Sequence, residues 1–199
     1  MSVVGFRARN HPQQVASRST ALLPLFEGWG EQEPVNITDS VDDRATPEEV
    51  FAVFHERFRF TIDVAASKHN AKLPRYYTRE DNGLEATWAN ERVWCNPPFS
   101  NIRPWVENAW NEEGAHLIVM LLPANRTEQG WWQDLVEPHR DRADSILRTE
   151  FLRGRPRFIA PGKSGICPNE RPPFGCVLLI WDRPAYLPLM DAKTNPDEP

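Results

Sequence analysis

The run Leu117-Ile118-Val119-Met120-Leu121-Leu122, entered through His116 and closed by Pro123, holds only apolar side chains. A strand with one face in water alternates apolar with polar residues, whereas a strand in this run must be covered on both faces. Gly114 before it and Pro123 after it limit it to strand length, because proline offers no N–H to a ladder. A second run of this kind lies at Gly175 to Trp181. Helical patterns separate the strand candidates. Thr46-Pro47-Glu48-Glu49 has the form of a helix start, with Thr46 at N-cap, Pro47 at N1 and Glu49 at N3. Val50, Phe51, Val53, Phe54 and Phe58 then make an apolar face. Ile102, Trp105, Val106, Ala109 and Trp110 form a second stripe at helical spacing, with Ser100 or Asn101 as cap and Gly114 as stop. Gln129 to Glu137 carries Trp131, Trp132, Leu135 and Val136 as a third. Further strands are expected at Phe60 to Ala66, Arg75 to Thr78, the approach to Asn96, and Ile146 to Leu152. Helices alternating with such strands predict a three-layer α/β domain with a mostly parallel sheet. Ligands then bind at the C-terminal strand ends.

The 199 residues suffice for one domain with a sizeable core. We place it at 42–182, after a disordered or extended arm over 1–41 and before a flexible, Pro-rich tail over 183–199. A net charge of −5 means that a nucleic acid would have to meet a local basic patch. Cys95, Cys167 and Cys176 include no C-x-x-C pair, so neither a disulfide framework nor a zinc site is expected, and a reducing cytoplasm is. No apolar run approaches the ~20 residues of a spanning helix, so no membrane partner is expected. His55, His69, His116 and His139 have no carboxylate, Ser or Cys partner at a telling spacing, and no metal is expected.

The chemistry concentrates in Val93-Trp94-Cys95-Asn96-Pro97-Pro98-Phe99-Ser100. The prolines end a strand at Asn96 and send the backbone into a stiff, extended turn. Asn96 presents a carbonyl acceptor and Phe99 a flat ring. An isolated Asn-Pro-Pro-Phe is more readily a turn with a packed ring than a site. Here Asp63 and the turn around Asp81 are expected at the same sheet edge, which favours a site. Adenine N6 is a poor nucleophile because its lone pair is delocalised into the ring. An amine of this kind, bound here, would have that pair localised by hydrogen bonds from its hydrogens to the Asn96 side-chain oxygen and the Pro97 carbonyl. Phe99 stacked on the base contributes roughly 1–3 kcal/mol, offsetting part of the few kcal/mol needed to unstack it.

The ordered series of landmarks resembles the bacteriophage-type DNA N-6-adenine methyltransferases from about Asp43 to Trp181. It runs through Asp43-Arg44-Ala45-Thr46-Pro47, Ile62-Asp63-Val64-Ala65-Ala66, Asn70, Tyr77-Thr78, Asp81-Asn82-Gly83-Leu84 and Trp88. It continues through Val93 to Phe99, Ile102, Trp105, Met120 to Ala124, Trp131-Trp132 and Gly154-Arg155. The resemblance implies a Rossmann-like fold and S-adenosylmethionine as methyl donor, with no metal needed. It implies that Asn96, Pro97, Pro98 and Phe99 are catalytic. Thr46-Pro47 would hold the methionine part of the cofactor, Asp63 its amino group with Ala65 adjacent, and Asp81 its adenosine end. Ala65-Ala66-Ser67 replaces the Gly-rich loop of methyltransferases at large, as in this family. Arg148, Arg153, Arg155, Arg157 and Lys163 are the expected DNA contacts, and the loop they border is a candidate for target recognition. The alternatives are methylation of RNA adenine or of a protein glutamine amide, or a silent nucleic-acid-binding domain of the same fold.

Overall fold

The structure is a computed structural model that describes residues 41–165 and 174–183. The arm and the tail fall outside the described residues, apart from their innermost positions, and so does Cys167. A single 3-10 turn, Val41–Asp43, leads into helix α1, Glu48–Phe58. Strand β1 is Ile62–Asp63, β2 Arg92–Cys95 and β3 Leu117–Pro123. Helix α2, Arg103–Asn111, joins β2 to β3, and α3, Gly130–Leu135, follows β3. β4, Leu147–Phe151, and β5, Cys176–Asp182, complete a five-stranded sheet of order β1-β2-β3-β5-β4.

The sheet is mixed. β1 runs parallel to β2 and β2 to β3, while β5 lies antiparallel to both β3 and β4. The sequence pointed to a mostly parallel sheet. Cys176 to Trp181 is buried on both faces, and that pattern reads the same in either direction, so hydropathy could not set the direction of β5. Alternate strand residues feed two clusters. Trp94, Leu117, Val119, Leu121, Leu178 and Ile180 pack with Phe51, Phe54 and Phe58 of α1. Val93, Cys95, Ile118, Met120, Leu179 and Trp181 pack with Val106 and Ala109 of α2 and with Trp131 and Trp132 of α3. The period-two sorting follows from the pleat.

Several boundaries differ from the sequence reading. Pro47, not Thr46, is the N-cap of α1, and its carbonyl accepts from Val50 and Phe51 N–H. Ile102 caps α2 rather than Ser100 or Asn101, and Ser100 N–H instead donates to Asp42 Oδ1. The strand expected at Phe60 to Ala66 contracts to β1. Arg75 to Thr78 leaves one parallel bridge, Asp63 with Tyr76. Pro123 ends β3 from within, opposite Cys176. At Ser100 the reason is a partner 58 residues away, Asp42, which local pattern does not record.

Candidate active site

Three parallel strands in register bring three carboxyl ends to one edge. Ile62 lies level with Val93 and Ile118, and Asp63 with Trp94 and Val119. The chain leaves β2 through Asn96 and the prolines at this edge. Asn96 Nδ2 donates to the Arg44 carbonyl at 3.4 Å. A carbonyl only accepts, so this contact fixes which end of the amide faces Arg44. Asn96 Oδ1 is thereby turned away, buried and without a hydrogen-bond partner among the described residues. Thr46, only 1% exposed, has its hydroxyl in the same condition. Buried polar atoms are nearly always satisfied, and these two, among several such atoms in the described residues, lie on neighbouring segments at this edge.

The segment 42–47 crosses this edge and fastens each of its parts. Asp42 takes the Ser100 N–H at 3.0 Å. Asp43 takes Ser67 Oγ at 3.0 Å and Asn70 Nδ2 at 2.9 Å, holding the loop after β1. Its other oxygen lies 2.9 Å from His69 Nε2. His69 thus has a carboxylate partner, contrary to the sequence reading, supplied by a residue on the far side of α1. Ala45 forms a two-bond antiparallel bridge with Ile159, at 2.9 and 2.8 Å.

Asp63 is 3% exposed, and burial pushes its carboxyl pKa up to about 6. The N–H groups of Lys72, 3.0 Å from Oδ2, and Ala65, 3.3 Å from Oδ1, pull the other way, as does the Lys72 charge. Burial, with the Asp63 charge beside it, also drives the Cys95 thiol well above its ordinary value, so this thiol is an inert core group. Asp81 is exposed and closes its own turn, with its carboxylate accepting the N–H and hydroxyl of Thr78 at 2.9 and 2.8 Å. Those bonds hold its pKa below the usual range. Tyr77 N–H donates to the Asp63 carbonyl, which ties the Asp81 turn to the end of β1.

The Phe99 ring is 9% exposed, with Phe158 edge-on at 5.8 Å and Phe174 edge-on at 5.9 Å. Arg126 Nη1 donates to the Phe99 carbonyl. The Pro98 carbonyl accepts the Asn101 N–H at 3.2 Å and closes the turn. Of the expected DNA contacts, Arg153, Arg155, Arg157 and Lys163 are exposed on the segment that leaves β4 at the Asn96 end of the sheet. Arg148 sits elsewhere. It lies on β4 opposite Ile180 and pairs with Asp182 at 2.6 Å, towards the opposite end.

The structure thus brings Asn96, Pro97, Pro98, Phe99, Thr46, Pro47, Asp63 and Ala65 to one edge. It adds Asp42, Arg126, Phe158 and Phe174, which the sequence did not single out. Asp43, Arg44 and Asn70 stand in the sequence only as landmarks of a resemblance, and their spacing carries no other signal. Among the described residues no three His, Cys, Asp or Glu side chains are grouped to hold a metal ion, and no helix is long and apolar enough to cross a membrane.

A mixed α/β sheet with a strand-end Asn-Pro-Pro-Phe and orphaned acceptors beside it is the architecture on which the comparisons with known proteins bear. The chain belongs to the DNA N-6-adenine-methyltransferase (Dam) family, whose profile matches residues 35–194. It is 33% identical, over 142 residues, to a protein of Escherichia phage T1 named DNA N-6-adenine-methyltransferase. That match covers 65% of this chain and 59% of the relative. A protein of Haemophilus phage HP1 with the same name is 36% identical over 95 residues, covering 46% of this chain and 54% of that one. The chain therefore spans between half and three fifths of the length of these relatives.

Proposed function

We propose that this protein methylates the N6 amine of adenine in DNA, with S-adenosylmethionine as donor, on a Rossmann-like, three-layer methyltransferase fold. The observation that carries the reading is the orientation of Asn96. Its Nδ2 is used by the Arg44 carbonyl, and its Oδ1 is buried, unpartnered and available to accept. An adenine amine offers the complementary donor. An acceptor held in place before the reaction costs nothing to reorganise during it. Family membership and two phage relatives of that name support the same chemistry.

The residues at the edge suit the proposed cofactor. Asp63 supplies a buried carboxyl for an ammonium group, and the Thr46 hydroxyl is an unsatisfied polar atom for a carboxylate or hydroxyl. S-adenosylmethionine, when bound, supplies a sulfonium methyl open to attack by an amine. Asn96 Oδ1 and the Pro97 carbonyl accept the N6 hydrogens and draw the lone pair out of the ring. The Phe99 ring holds the base, and the pyrrolidines keep the carbonyls from turning. Asp81, bound to Thr78, shapes the turn beside the adenosine end. Arg153, Arg155, Arg157 and Lys163 face the phosphates, with Arg148 a more distant contact.

Labelled methyl transfer to DNA, RNA and protein tests the reading. Transfer to adenine in DNA is expected, with Asn96→Ala lowering kcat by about a hundredfold or more, on the scale of losing one preorganised transition-state hydrogen bond. Label on RNA or protein but not on DNA would overturn the substrate, and an unimpaired Asn96→Ala would overturn the mechanism.

A further inference from the structure

Resting on the methyl-transfer reading, we propose that Phe158 and Ile159 are positioning residues. Together they fix both reactive side chains of the Asn-Pro-Pro-Phe segment from the opposite side of the sheet edge. The two residues do this by different means. Phe158 meets the Phe99 ring edge-on, with centroids 5.8 Å apart and planes at 88°. Ile159 exchanges both backbone hydrogen bonds with Ala45, at 2.8 and 2.9 Å. The carbonyl just before Ala45, that of Arg44, is the one that orients the Asn96 amide. One dipeptide therefore reaches the base platform through a ring and the base acceptor through a backbone bridge.

The physical need is specific. A Phe ring held only by its own χ angles turns, and a base stacks only on a ring presented in one plane. Two edge-on neighbours, Phe158 and Phe174, leave Phe99 one orientation. The Asn96 amide would turn its Nδ2 towards an incoming amine if the Arg44 carbonyl drifted, replacing attraction with donor-donor repulsion. The 45–159 bridge holds that carbonyl against drift. Neither Phe158 nor Ile159 needs to touch substrate; the effect of Phe158 falls on the chemical step, whereas the Ile159 bridge to Ala45 also borders Thr46 of the proposed cofactor site. The same segment carries Arg155, Arg157 and Lys163.

The test compares Phe158→Ala, Phe158→Tyr and Ile159→Pro in the full chain, with Val53→Ala at an exposed α1 position as control. Phe158→Ala is expected to lower kcat by roughly tenfold or more, the scale of a small misplacement of reacting groups, with KM for S-adenosylmethionine within about twofold of the parent. Phe158→Tyr, which keeps the ring, should recover kcat to within about threefold. Ile159→Pro deletes the N–H that bonds Ala45 while keeping the Phe158 side chain, and should lower kcat. A folded Phe158→Ala with undiminished kcat, or a Phe158→Tyr as impaired as Phe158→Ala, overturns the proposal. A second readout is independent of activity: the Asn96 side-chain amide resonance in ligand-free protein. It should move in Ile159→Pro and stay in Val53→Ala; an unmoved resonance in Ile159→Pro overturns the positioning role. If the parent protein transfers no methyl group, the methyl-transfer reading fails while this resonance still decides the positioning claim.

Discussion

Asn96 has two hydrogen-bonding ends, and the Arg44 carbonyl takes one of them. The sequence shows the residue type and its place before two prolines, but which end faces the site depends on a backbone carbonyl 52 positions away. Asp63 is a similar case. Its place at the end of an apolar strand is legible, and its degree of burial is not. Unfolded, the carboxyl titrates near 3.8, and in the fold at about 6, so protonation favours the folded state. The contribution is fully present below pH 3.8 and is lost as pH rises to about 6, leaving a cost of about 3 kcal/mol at neutrality. Denaturant unfolding of the parent and of Asp63→Asn, at pH 4 and pH 7.5, should differ in pH response by about that amount. The parent should be the one that loses stability as pH rises. Glu91 and Asp141, whose pKa values are depressed, act in the opposite sense but equally in both proteins. On the proposed function, an ammonium ligand binds the ionised carboxyl. Its affinity, followed by calorimetry, should therefore strengthen about tenfold per pH unit below 6 and level off above.

The elements that build the site were largely readable, and their junctions were not. Periodicity located α1, α2, α3, β3 and β5, because each buries a face that has to be apolar, whereas β4 buries only Leu147. β1 is two residues long, and beyond it Val64 N–H still donates to the Trp94 carbonyl and Ala66 N–H to the Tyr77 carbonyl. The Asp81 turn packs against β1 through Gly83. A Cβ there would lie 2.1 Å from the Val64 carbonyl oxygen, a backbone atom that cannot swing away. Gly83→Ala is expected to cost about 1–3 kcal/mol, read as a lowered urea midpoint with unchanged slope. Because Val64 lies between Asp63 and Ala65, the proposed cofactor affinity should fall with it. An intact affinity alongside the lowered midpoint would detach the Asp81 turn from the cofactor site. The Trp88 indole N–H bonds the Gly83 carbonyl at 2.9 Å and holds the turn from its other side.

For the molecule as a whole, a net charge of −5 opposes a polyanion, so the proposed DNA contact has to be local. Arg153, Arg155, Arg157 and Lys163 lie exposed on the segment that leaves the sheet at the Asn96 end, and Arg148 is paired with Asp182 towards the other. Replacing Arg153 and Lys163 by Ala should weaken DNA binding and reduce the salt slope by about 0.9 for each phosphate no longer neutralised. Arg148→Ala should change it less. Fluorescence anisotropy across a salt series reads both, and equal slopes for all variants would remove this segment from the interface. The sequence by itself determined that strands and helices alternate, most of the residues that form the core (Val53, expected on the apolar face of α1, is 63% exposed), and that Asn96, Pro97, Pro98 and Phe99 follow a strand. Those outcomes depend on local period and on groups that proline lacks, and both are properties of neighbours in the chain. Only the tertiary structure decided the reversal of β5, the Asp43 partnership of His69, and the Phe158 and Phe174 edges on Phe99. It alone turned Asn96 Oδ1 away from Arg44 and towards the proposed site, because hydrogen-bond direction is set by whichever carbonyl the fold brings near.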